Sequence, residues 1–156
     1  GRRHTRAASG SIQDLQGAAH GKHPDELIAE AKKGATQGVK ERTRSGQDTI
    51  GYGTHVRDQP TLAELLAAMD QGGGITWIRV QYTYPRLWTD RLIQVWAQAK
   101  RIVPYVDMPL QHNDQDMLRT MSRAMTAKDT RSLVRLFKAR LHGVALRTHF
   151  LVGFQV

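Results

Sequence analysis

Apolar positions along this chain switch between a helical and an extended period, and the switches mark out its elements. Pro24 followed by Asp25 and Glu26 makes a helix start with acidic residues at the positive end of the dipole. Leu27, Ile28 and Ala31 then form a short apolar stripe, which Gly34 and Gly38 are expected to end. Thr61 and Glu64 form a capping box for a helix whose apolar face is Leu62, Leu65, Leu66 and Met69. Gly72–Gly74 break it, and Ile75–Tyr84 (ITWIRVQYTY) reads as a strand that Pro85 ends. Thr89 caps a helix carrying Leu92, Ile93 and Trp96. The β-branched and aromatic run Arg101–Val106 then predicts a buried parallel strand.

Asn113 or Asp114 caps the next helix, with Met117, Leu118 and Met121 on one face. Thr126 and Asp129 make a second capping box, ahead of Leu133, Val134, Leu136, Phe137 and Leu141. Gly143 closes that helix and Ala145–Phe154 (ALRTHFLVGF) is the last strand. Val39–Thr49 sits where a strand is wanted, but its centre, Arg42-Thr43-Arg44-Ser45, is poor material for a buried one.

Alternating helices and strands at this spacing predict an α/β fold of right-handed βαβ units with a parallel sheet. Three clear strands and one weak one are too few for a closed eight-stranded barrel. The chain stops two residues after Phe154, where another helix would begin, so it reads as cut.

Composition narrows the function classes. With 156 residues, one domain is expected, and residues 1–22 lack helical or strand period and read as disordered or degenerate. No apolar run is long enough to span a membrane and no signal peptide opens the chain, so a soluble, cytoplasmic protein with no membrane partner is expected. Lys and Arg total 23 against 14 Asp and Glu, a formal charge of +9. The resulting pI near 10.4 and mean hydropathy of −0.50 favour phosphate-rich or acidic partners, with non-specific RNA contact through the basic surface. There is no cysteine, which excludes disulfides, thiolate zinc sites and cysteine-ligated clusters within this chain.

Most local motifs have a plainer reading than a catalytic one. His20-x-x-His23 is the only close histidine pair, and nothing completes a metal ligand set around it. The glycines at 72–74 lie between helix and strand, the wrong polarity for a phosphate loop, and Ser45 lacks a nucleophile elbow. Trp77, Tyr82 and Tyr84 alternate with Arg79 and read as core rather than as a base-stacking platform.

The polar residues left over share one location. Gln47, Asp48, Tyr84, Asp107, Gln111, His112, Arg147 and Thr148 all lie within or just past predicted strands. Ligands of parallel α/β proteins bind at the carboxyl ends of strands, where such groups converge over a rigid base. Asp107 and Arg147 are expected to point to the same side and to pair. The alternative for the whole set is ordinary capping and interior hydrogen bonding.

Longer motifs carry a family resemblance. DELIAEAKKGATQGVKE, QDTIGYG, LAELLAAM, WIRVQYTYP, TDRLI, KRIVPYVDMPLQHNDQDMLRTMSR and LRTHFLVGF occur in that order over about residues 21–154. Together they resemble the radical S-adenosylmethionine methylthiotransferases. QDT-x-x-YG and the histidine of PLQH are similar to the RimO-like branch, which modifies an aspartate of a small-subunit ribosomal protein. The tRNA-modifying sister enzymes typically read QN-x-x-SYG and PLQSGS at those places.

The resemblance implies a partial (β/α) barrel of the radical SAM type, over residues 23–156. It implies S-adenosylmethionine and a [4Fe–4S] cluster held by a Cys-x₃-Cys-x₂-Cys loop as cofactors, and a ribosomal protein or the ribosome as partner. By the same resemblance Gln47, Asp48, Tyr84, Asp107, Gln111, His112, Arg147 and Thr148 line the barrel mouth, and Gly153 sits near S-adenosylmethionine. Three stretches depart from the pattern. Residues 1–20 occupy the place of the cluster loop without a cysteine, RTRSG replaces an apolar strand, and Phe154-Gln155-Val156 replaces a Phe-Pro-Gly-Glu-Thr continuation. Degenerate or frame-disrupted stretches are the reading adopted for these departures. The expected function is therefore that of a fragment of such an enzyme, inactive alone. The alternatives are a non-catalytic basic module that binds ribosomal RNA and a relative that modifies tRNA.

Overall fold

A computed structural model describes residues 23–44, 49–53, 60–72, 75–121, 123 and 125–153. Five helices and four strands lie among them in the order α1 (Pro24–Thr36), β1 (Glu41–Arg44), α2 (Leu62–Gln71), β2 (Trp77–Val80), α3 (Asp90–Gln98), β3 (Tyr105–Asp107), α4 (Gln115–Thr120), α5 (Ala127–Arg140) and β4 (Ala145–Arg147). The segment at 1–22 and the site candidates Gln47 and Asp48 lie outside the described residues.

The strands pair in parallel. β1 aligns with β2 from Glu41↔Trp77 to Arg44↔Val80, and β3 with β4 from Tyr105↔Ala145 to Asp107↔Arg147. A parallel bridge between Ile78 and Ile102 joins the two pairs into the row β1-β2-β3-β4. The Ile78 amide donates to the Arg101 carbonyl and the Val103 amide to that of Ile78. Among the described residues no strand pairs with the outer edge of β1 or of β4, so the row is open rather than closed into a barrel. The coarse α/β reading stands, in a small parallel sheet.

Helix boundaries follow local chemistry. Glu64 accepts hydrogen bonds from both the amide and the hydroxyl of Thr61, at 2.7 and 3.1 Å, which fixes the start of α2. The Thr89 hydroxyl accepts from the Leu92 amide at α3, and Asp114, not Asn113, caps α4 by accepting from the amides of Asp116 and Met117. Thr126 and Asp129 form the predicted box at α5. α1 runs through Gly34, which was expected to help end it, and the turn to the left-handed conformation comes at Gly38, with φ 84°.

The core lies between the helices and the sheet. Leu66, Ile78, Val80, Val106 and Phe137 are fully buried at its centre. Trp88 stacks between Trp96 and Phe137, with ring centroids 5.0 and 4.6 Å away. Asp70 at the end of α2 accepts from the amides of Lys100 and Arg101, which ties α2 to the start of the segment leading into β3. Two aromatics assigned to the core are not in it: Trp77 is 51% exposed and Tyr82 40%. Trp77 starts the short β2, and at Tyr82 the backbone turns to φ 56°, so neither follows the inward alternation of a longer strand. Among the described residues no helix is long and apolar enough to cross a membrane.

Candidate functional site at the strand ends

β2, β3 and β4 run side by side, so the residues leaving their carboxyl ends converge. Asp107 is the last residue of β3 and is completely buried. Arg147, the last residue of β4, lies opposite it in the register, and its Nη1 is 3.0 Å from both Asp107 carboxylate oxygens. The chain leaving β2 completes the arrangement. The Tyr82 amide donates to Asp107 Oδ2 at 3.3 Å, while the amide and hydroxyl of Thr83 both donate to the Asp107 carbonyl, at 2.8 and 2.7 Å. One buried carboxylate thus holds three strand ends together.

Asp107 is closed off from solvent, and its position suits an anchor for the groups around it. Arg147 is the group it presents, with 45% of the side chain exposed. Burial works against the guanidinium charge, but the Asp107 carboxylate outweighs it through its charge and its hydrogen bond. Tyr105 and Tyr82 act in the same direction, so Arg147 is held above its ordinary value and stays cationic. Its Nη2 is 2.6 Å from His149 Nε2. A guanidinium only donates, so Nε2 is the acceptor in that contact.

Beyond Asp107 the chain stays tied to the segment after β4. The Thr148 hydroxyl accepts from the Leu110 amide, the Gln111 amide donates to the His149 carbonyl, and the Leu151 amide to that of Gln111. Gln111 holds φ 71°, in the left-handed region that a side chain seldom adopts. His112 has its Nδ1 accepting from the Asp114 amide, which places it in the turn before α4. Gly153 has φ 69° and open space where a Cβ would sit.

Of the residues expected to share a site, Asp107 and Arg147 are paired directly, while Gln111 and Thr148 tie the chain after β3 to the segment after β4. Tyr84 packs against the core instead, under the Arg123 guanidinium 5.9 Å from its ring centroid. Three participants were not foreseen: Tyr82, Thr83 and His149. His149 lies two residues past Arg147, hence on the same side of an extended chain, a periodicity signal that the sequence does contain. Tyr82 acts through its backbone and leaves no such signal.

The chain has no cysteine, and among the described residues no group of three or more His, Asp or Glu is placed to hold a metal ion. A [4Fe–4S] cluster therefore does not fit the residues present.

Polar groups gathered at the carboxyl ends of adjacent parallel strands define an α/β protein with a strand-end site. Comparison with known proteins makes that class specific. No family model matches the chain. The ribosomal protein uS12 methylthiotransferase RimO of Anaeromyxobacter sp. (strain Fw109-5) is 39% identical to it over 142 residues, which is 91% of this chain and 30% of that protein. The RimO of Clostridioides difficile (strain 630) is 38% identical over 92% of this chain and 32% of its own length, and that of Desulforamulus reducens 35% identical over 96% and 34%. In sequence the chain is similar to one segment of these RimO proteins, and it spans about a third of the length of the curated relatives it matches.

Proposed function

We propose that this chain is the strand-end segment of a radical S-adenosylmethionine methylthiotransferase that acts, in the cytoplasm, on an aspartate of a small-subunit ribosomal protein. The observation that carries the reading is the Asp107–Arg147 pair, which lies at the carboxyl ends of adjacent parallel strands in a chain similar to RimO along nine-tenths of its length. The barrel of the intact enzyme would continue beyond the open row, with His112 in the turn before α4 near its mouth.

S-adenosylmethionine suits the donors here in kind. A cationic, half-exposed Arg147 matches a carboxylate, the side-chain carboxamide of Gln111 and hydroxyl of Thr148 match ribose or amino groups, and Gly153 leaves room for close approach. That cofactor would supply the radical chemistry, while these side chains bind and orient it. The cluster that cleaves it needs thiolates this chain does not have. By itself the chain is therefore inactive.

A chimaera tests the reading. Residues 101–153 replace the matching segment of the Clostridioides difficile RimO, and methylthiolation of ribosomal protein uS12 is read by mass spectrometry. Activity is expected, and the further change Arg147→Gln should reduce it by at least tenfold. A chimaera that folds and carries its cluster but leaves uS12 unmodified would overturn the proposal.

A further inference from the structure

The geometry points to one flank of α5 as a docking surface for the phosphate backbone of structured RNA. Lys128, Arg131, Arg135 and Lys138 recur at intervals of three, four and three residues, and all four are exposed. At 3.6 residues per turn this places them within about 80° of arc, in a row about 15 Å long. The core-facing seam of the helix, Ala127, Thr130, Val134, Phe137 and Leu141, turns inward about 100° away, so the basic row follows from how α5 packs.

Charge complementarity names the occupant. Among the described residues no ion pair or hydrogen bond joins any of these four side chains. The only acid on α5 is Asp129, which lies around the helix from the row and is occupied in the capping box with Thr126. Four exposed cations in line, with no acid within the row, suit a regularly spaced polyanion. Neither hydrogen-bond acceptors nor aromatics interrupt the row, so it recognises phosphates without reading bases. The phosphate recognition stands independently of the methylthiotransferase reading; the choice of RNA over DNA rests on the ribosomal target proposed above.

Counterion release makes the inference quantitative. Four phosphate contacts contribute a slope of about −3.6 to log K against log salt, equivalent to about 150-fold in affinity between 50 and 200 mM. Binding of a fluorescent ribosomal RNA hairpin is measured by anisotropy across that range for the chain and for two variants. K128Q/R131Q/R135Q/K138Q empties the row. K32Q/K33Q/K40Q/K100Q removes four exposed lysines elsewhere, and each variant lowers the formal charge from +9 by four. The row variant should lose about three to four units of slope and the control at most one, with circular dichroism unchanged in both. The pair R131Q/R135Q should lose about two, a check that needs only half the changes. Equal losses in the row and control variants would mean diffuse charge and overturn the inference. So would displacement of the RNA by polyglutamate at equal charge concentration, which would assign the face to an acidic protein.

Discussion

Arg147 faces Asp107 across the β3–β4 register, with Nη1 3.0 Å from each carboxylate oxygen, and the two differ sharply in exposure. Asp107 is fully buried while Arg147 keeps 45% of its side chain in solvent. The carboxylate is thus the fixed member and the guanidinium the one it aims outward. The pair both ties the strand ends together and positions a cation there.

Replacing Asp107 by Asn keeps the shape but turns one acceptor oxygen into a donor that faces either Arg147 or the Tyr82 amide. The expected loss is about 2 kcal/mol, measured by urea unfolding. It falls short of the value for a fully buried pair because the freed Arg147 can turn to water. A loss below about 0.5 kcal/mol, the scale of an ordinary surface change, would show that these strand ends are not organised.

Phe137 tests the core independently of the site. It is fully buried, and its ring meets Trp88 edge-on, at 63° between planes and 4.6 Å between centroids. Phe137→Ala should cost about 3–5 kcal/mol and flatten the near-ultraviolet dichroism of the Trp88–Trp96 pair. A variant that keeps both its stability and that signal would place the core elsewhere.

How far the sequence revealed all this depends on the kind of interaction. The capping boxes at Thr61 and Thr126 were legible because a side chain three residues on supplies the partner, a purely local rule. The Asp107–Arg147 pair was legible because parallel neighbours and a period of two bring strand ends to one side. Strand length was not. Ile75–Tyr84 reads as ten extended residues, yet β2 is Trp77–Val80, ending shortly before the backbone turns at Tyr82. β1 shows the opposite case: Arg42-Thr43-Arg44-Ser45 looks unfit for a buried strand, yet Glu41–Arg44 pairs with β2 along its length as a polar one. Glu41 there meets Arg79 at 2.6 Å, and Arg79 also covers the Tyr105 ring at 4.8 Å. A polar edge strand is stabilised by cross-strand pairs that composition alone does not reveal.

Asp129 makes a pH prediction. The Thr126 hydroxyl, then the Thr126 amide and the nearby Lys128 charge hold its carboxyl below the ordinary value, against a small opposing effect of burial. A carboxyl depressed in the folded state adds stability above its unfolded pKa, about 3.9, and that contribution is lost as pH falls toward the folded value. The melting temperature of Asp129→Asn should therefore lie below that of the parent chain at pH 7, with the gap narrowing between pH 5 and pH 3. A gap that widens on acidification would contradict the assigned direction.

Gln111 supplies the last test, because its backbone rather than its side chain is unusual. It sits at φ 71° where the chain turns from β3 toward α4, and two bonds hold it there, its amide to the His149 carbonyl and its carbonyl to the Leu151 amide. Glycine adopts this conformation without a Cβ clash but loses more freedom on folding, so Gln111→Gly should fall within about 0.5 kcal/mol of the parent. Valine suffers the clash in full, and Gln111→Val should cost about 1–3 kcal/mol. Equal stabilities for the two variants would mean that the left-handed turn is not maintained. In that case the segment after β4, including Thr148 and His149, would not be held in register with the end of β3. The ordering Gly above Val, read from two urea curves, thus reports whether the strand-end site exists as one assembled unit.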